Sequence, residues 1–233
     1  MKSPYLIIIC LLLAGRAYSQ DVDILRQSET FQRQGKHRQF IYWNNPSDTA
    51  GLEYVATLSS KASAMGGKSL WEIWNHAGNR SVRLGSNVFI CRSFTDSSDA
   101  KAELILDLYL ASEAALSRNT EREEKNVVYL FGNKGKPMPV KVNGEEVDIP
   151  ANSFLRYETP PGSTLKLSKG GITGASWTIQ GEEGKAPVFL SVSGPGLGGA
   201  VPPAGSVGIS INSGRITPMH PQFGRMLLQL QKK

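Results

Sequence analysis

The chain has 233 residues, of which 40% are hydrophobic and 20% charged, with 26 lysines and arginines against 20 acidic side chains and a formal net charge of +6. A chain of this length buries roughly 70% of its unfolded surface, so its core needs no disulfide staple. The basic excess is mild and is not gathered into one stripe, which argues against a nucleic-acid partner.

The chain opens with a leader pattern. Lys2 precedes the apolar run Tyr5 to Leu13, and Ala17-Tyr18-Ser19 places small residues where a cleavage site needs them. This predicts a secretory signal peptide over 1–19, cut near Ser19. The run is about half of the roughly 20 apolar residues that span a bilayer, and no other stretch of the mature chain reads as a transmembrane segment. Cys10 sits inside the run, with Leu11 to Leu13 still to come, so it is not placed as a lipidated cysteine. The mature chain keeps a single thiol, Cys91, whose neighbours Val88, Phe89 and Ile90 mark it as a buried small apolar residue.

Residues 20–37 are polar and read as a mobile arm or a short capping helix. An α+β module is expected over 38–119. Its strands are Arg38 to Asn44, Leu52 to Leu58 and Ser69 to Asn75, each alternating or rich in aromatic and β-branched residues. Ser59 or Ser60 is a candidate N-cap for a short helix that Gly66-Gly67 ends. His76-Ala-Gly-Asn79 reads as a turn into an apolar run from Val82 to Phe94, and Thr95 to Asp99 as another turn. Lys101 to Leu110 alternates leucines strictly and is assigned as strand over helix. Ser112 caps a short helix to Asn119, and 120–125 is a charged linker. The order of strand, small-residue helix, MGGKSLWEI, turn and strand resembles a YbjQ-type β-α-β-β module over 51–95.

The domain 126–233 reads as β-sandwich. Val127 to Phe131 is a buried strand, and Pro139 to Val142 pairs with Glu146 to Ile149 around Asn143-Gly144, a turn whose two central residues both need positive φ. Ser153 to Glu158, Ser163 to Leu167, Ala175 to Gln180, Val188 to Ser193, Val207 to Ile211 and Met226 to Leu230 continue as strands between loops rich in glycine and proline. The VYLF strand, VNG hairpin and PPG turn over 127–168 resemble DUF2846-like β-sandwich domains. The run from Gly170 onward resembles the C-terminal region of an uncharacterised secreted protein family of Bacteroidota. The fold class expected is therefore α+β, a small α+β module followed by a mainly antiparallel β-sandwich.

No motif of known chemistry emerges. His37, His76 and His220 stand in separate segments outside any metal-ligating spacing, and no G-x-S-x-G elbow exists. The glycines from Gly194 to Gly199 are followed by Ala-Val-Pro-Pro, which cannot supply the helix N-terminus that a dinucleotide needs. Glu145-Glu146, Glu182-Glu183 and the pair Asp96 and Asp99 lie on turns, unlike carboxylates held across a cleft. No catalytic residue, metal site or cofactor is assigned.

Contact residues are better candidates. Trp43, Trp71 and Trp74 are large apolar side chains that serve either the core or a sugar or protein partner, and on a strand Trp71 and Trp74 would face opposite ways. His76 follows them at the mouth of a turn. Arg215 and Arg225 lie beside glycine turns, placed for a carboxylate clamp or for anion recognition. The function expected is a secreted or periplasmic, non-catalytic binding or scaffolding protein of the bacterial cell envelope, whose partner is an envelope protein or surface polymer. The alternatives are an envelope hydrolase acting at the domain junction and a self-associating structural component.

Overall fold

The computed structural model describes residues 22–33, 39–61, 69–96, 102–132, 135–170, 174–193, 196–199, 209–212 and 214–231. The stretch read as a leader, His37, Asp99 and the helix expected before Gly66-Gly67 fall outside them. The chain divides into two compact units that meet between Leu116 and Ser117. The architecture is α+β: a small α+β unit followed by a mainly antiparallel β-sandwich. No described helix is long and apolar enough to cross a membrane.

The first unit contains β1 (Val22–Gln27), β2 (Ile41–Tyr42), β3 (Leu52–Lys61), α1 (Leu70–Leu84), β4 (Val88–Asp96) and β5 (Ala102–Ala111), with α2 (Glu113–Glu121) leading out of it. The sheet order is β1-β3-β5-β4-β2. Strand β2 runs parallel to β4, and the other neighbours are antiparallel. The leucine alternation of β5 means what it says: Leu104, Leu106 and Leu108 are fully buried on one face, opposite Ser60, Leu58 and Ala56 of β3. Ser60 Oγ donates to Ile73 O at 2.9 Å, which identifies that face as the one under α1.

Five expectations are corrected here. Ser69 to Asn75 is the start of α1 and not a strand, and the expected turn at His76 to Asn79 is helical. The cause is local: Glu72 N donates to Ser69 Oγ at 3.4 Å while Ser69 N donates to Glu72 Oε2 at 2.8 Å, closing a capping box. Gly85, at φ 90°, ends the helix by donating to Ser81 O and Val82 O, a conformation that costs a Cβ-bearing residue strain. Residues 22–27, read as part of a polar arm, form the edge strand β1. Ser59 and Ser60 lie in β3, where their hydroxyls donate to Glu103 Oε1 and Ile73 O, and the strand expected over 38–44 narrows to Ile41–Tyr42 among the described residues.

The second unit carries β6 (Val127–Phe131), β7 (Met138–Val142), β8 (Glu145–Ile149), β9 (Phe154–Glu158), β10 (Thr164–Lys169), β11 (Ala175–Gln180), β12 (Val188–Ser193), β13 (Gly196–Gly199), β14 (Ile209–Asn212), β15 (Arg215–Pro218) and α3 (Pro221–Gln231). Two four-stranded sheets, ordered β11-β10-β7-β8 and β15-β12-β6-β9, face one another. Their shared core takes Val140, Val142, Ile149, Leu165 and Leu167 from one sheet and Val128, Leu130, Leu190, Val192 and Ile216 from the other. Asn143 and Gly144 have φ of 52° and 93°, as the hairpin chemistry requires. Gly196–Gly199, expected to be loop, pairs antiparallel with Ile209–Asn212.

Met226 to Leu230 is corrected from strand to helix. Pro221 occupies the first helical position, where its missing N–H costs nothing. Leu227 and Leu228 of α3 pack on the outer face of β6 and β12, where Val127, Tyr129, Phe131 and Phe189 form a second core, and Met226 is fully buried. Strand β6 is thus buried on both faces, which is why its sequence, VVYLF, is apolar throughout and does not alternate.

Candidate functional site

Helix α1 sinks Ile73, Trp74, Ala77 and Ser81 into the first unit. On the flank beside β1, His76 lies three and four residues before Asn79 and Arg80, and these lie four and three before Arg83, so the four share a face. With Val22 they line a cleft of about 220 Å³. Val22 opposes Ser60 in the sheet register and therefore stands on the helix side.

Among the described residues that line the cleft, the charges are unbalanced. The carboxylates of α1 and β1 are Glu72 and Asp23, and both are engaged elsewhere. Glu72 is committed to the Ser69 cap at 2.8 Å. Asp23 opposes Ser59 on the other face of the sheet, where its carboxylate lies 3.5 Å from Lys61 Nζ. Arg80 Nε is buried and makes no hydrogen bond among the described residues. A buried donor left unpaired carries a desolvation cost of about 1–3 kcal/mol, more when the group is charged, and an anion in the cleft would relieve it. Arg83 lies in the last turn of α1, where the helix dipole favours a cation.

The tryptophans do not form one platform. Trp43 is 4% exposed in a core with Val88, Ile90, Ala111 and Ala115, and its indole N–H donates to Asp48 O at 2.8 Å. Trp74 is equally buried, its ring 6.1 Å from Phe89. Trp71, 41% exposed, lies against Trp74 with ring centroids 5.1 Å apart. This corrects the expectation that Trp71 and Trp74 face opposite ways: on a helix, residues three apart are neighbours.

The other arginines belong to the second unit. Arg215 is exposed on β15. Arg225 is buried on α3, its Nη2 2.6 Å from Glu123 Oε2 in the segment read as linker, and its guanidinium stands 5.8 Å from the Phe189 ring centre. That pair is a clamp. Burial pushes the Arg225 guanidinium down from its ordinary pKa, and Glu123 opposes the shift. His220 accepts from Gln222 N through Nδ1 at 3.3 Å, and burial together with Arg225 holds its pKa below the ordinary value.

Cys91 is buried and in no disulfide. Glu145 and Glu146 are exposed on β8, and Glu182 pairs with Lys185 at 2.7 Å. Among the described residues, no group of three or more histidine, cysteine, aspartate or glutamate side chains could hold a metal ion. On the face of the first sheet opposite α1, Asp107 accepts from Thr57 Oγ1 at 2.6 Å and from Arg92 Nε at 3.0 Å, so Arg92 and Asp107 satisfy one another.

Of the residues singled out in the sequence, His76 is the one in the cleft. Asn79, Arg80 and Arg83 escape a reading that puts a turn at 76–79 and an extended run from Val82. Ser69 and Glu72 at capping-box spacing, with Gly85 one residue beyond LWEIWNHAGNRSVRL, are the signals that would have revealed the helix and hence the shared face. No protein-family model, no curated protein and no solved structure matches the chain.

Proposed function

We propose that this protein is a secreted or periplasmic binding or scaffolding protein of the bacterial cell envelope, and that it holds an anionic group of its partner in the α1 cleft of the first unit. The observation that carries the reading is Arg80, whose buried Nε makes no hydrogen bond among the described residues and which lines one cleft with Arg83 and His76. A protein using these side chains for its own fold would supply a carboxylate, as it does for Arg225 and Arg92. The partner is an envelope protein or a surface polymer, and Trp71 offers it a separate aromatic contact on α1. The leader pattern supports the compartment. Comparing the mature wild-type chain with an Arg80→Gln/Arg83→Gln variant for binding to washed envelope material tests the reading.

A further inference from the structure

We infer that the α1 cleft takes a tetrahedral oxyanion, a phosphate or sulfate ester group, in preference to a carboxylate. This rests on the anion-binding reading above and specifies its ligand class.

The donor set decides between the two anions. A carboxylate has one charge and two oxygens, which a single guanidinium fork satisfies. Here two guanidiniums, an amide and an imidazole line one cleft, so a carboxylate would leave the second arginine without a counter-charge. A phosphate monoester carries close to two negative charges at neutral pH and three strong acceptor oxygens. Arg80 and Arg83 lie three residues apart on one helix, with Cβ atoms about 5–6 Å from each other, a separation at which two forks converge on one tetrahedral group. Among the described residues no acid competes for the arginines, because Glu72 caps the helix and Asp23 points to the opposite sheet face.

Size and polarity fit an ester. At about 30 Å³ per water in the liquid, the cleft of about 220 Å³ exceeds the need of an oxyanion alone. It has room for the first carbons of the carrier, and Val22 gives them an apolar wall. The same phosphoryl chemistry occurs on a free ester, a decorated polymer and a lipid headgroup, so the test separates these sources.

The experiment follows the arginine Nε–Hε resonances of the mature chain by NMR while methyl phosphate, sulfate or acetate is added at constant ionic strength. Methyl phosphate and sulfate are expected to shift Arg80 and Arg83 saturably, each binding at least about tenfold tighter than acetate. Arg80→Gln abolishes the saturation, Arg80→Lys retains part of it, and Arg215→Gln leaves it intact. Vesicles containing phosphatidic acid, at matched phosphate, identify a lipid source if they bind the wild type and not Arg80→Gln. Methyl phosphate binding without vesicle binding assigns a soluble or polymer-borne ester. Acetate binding as tightly as methyl phosphate would overturn the oxyanion assignment and leave the anion site standing. If no anion moves either arginine, both inferences fail.

Discussion

Arg225 Nη2 lies 2.6 Å from Glu123 Oε2, and the two side chains are only 9% and 8% exposed. The pair ties α3 to the segment after α2. Removing one partner strands a charge out of water, which costs about 3–5 kcal/mol, whereas replacing both with apolar groups of similar size is often neutral. Glu123→Gln is therefore expected to lower unfolding stability in urea by that amount, and the double variant Glu123→Leu/Arg225→Met to recover most of it. Equal losses in the single and double variants would contradict the clamp.

Gly224 lets α3 approach the sheet. A Cβ at this position would run into the Phe189 ring, so Gly224→Ala has to shift either the helix or the ring. Alanine favours helix by about 1 kcal/mol, but overpacking costs typically 1–3 kcal/mol. The net expectation is a destabilised second unit, read as a lower thermal midpoint. A raised midpoint would mean that α3 does not pack on Phe189.

Tyr129 contributes to the alkaline behaviour. Burial, reinforced by its hydrogen bond to Glu124 at 2.9 Å, pushes the phenol from 10.0 up to about 12. The folded state thus keeps a proton that the unfolded chain loses. The resulting stability is fully present below pH 10 and is lost as pH rises through about 12. Burial also raises Tyr42, Tyr109 and Tyr157, so phenolate absorbance near 295 nm should show a late phase that shrinks by one tyrosine in Tyr129→Phe, with a shallower loss of stability above pH 10. Titration of Tyr129 alongside free tyrosine would contradict its burial under α3.

Trp71 is the one tryptophan among the large exposed hydrophobic side chains. Iodide is expected to quench a fraction of the fluorescence, and Trp71→Phe to remove most of that fraction while leaving stability within about 0.5 kcal/mol. Quenching that survives the substitution would place another indole at the surface.

These relationships were legible in the sequence to different depths. Asn143-Gly144 declared its hairpin because turn chemistry is local. Val127 to Phe131 was readable as a strand, but its two-sided burial depends on α3, ninety residues later in the chain. Leu70 to Trp74 alternates over too few residues to separate period 2 from period 3.6, and the apolar run Met226 to Leu228 has no period at all. The termini carried the decision in both cases, through Ser69, Glu72 and Gly85 for α1 and Pro221 for α3. The cleft was hidden for the same reason. His76, Asn79, Arg80 and Arg83 share a face only on a helix, and the edge strand that supplies Val22 lies in a stretch whose composition is polar.

The central claim is that Arg80 and Arg83 serve a ligand and not the fold. The direct measurement is co-sedimentation of the mature chain with washed envelope material, comparing wild type with Arg80→Gln/Arg83→Gln at low salt and at about 1 M salt, where screening shortens to about 3 Å. The account predicts that the wild type binds at low salt and is released at high salt. The double variant should bind at least about tenfold more weakly and still fold, its melting temperature moving by only a few degrees: Arg83→Gln forfeits about 0.3–1 kcal/mol at the helix C-terminus, while Arg80→Gln removes a buried donor that has no partner among the described residues. Equal binding by the two proteins, or a variant that has lost its stability along with its binding, would contradict it.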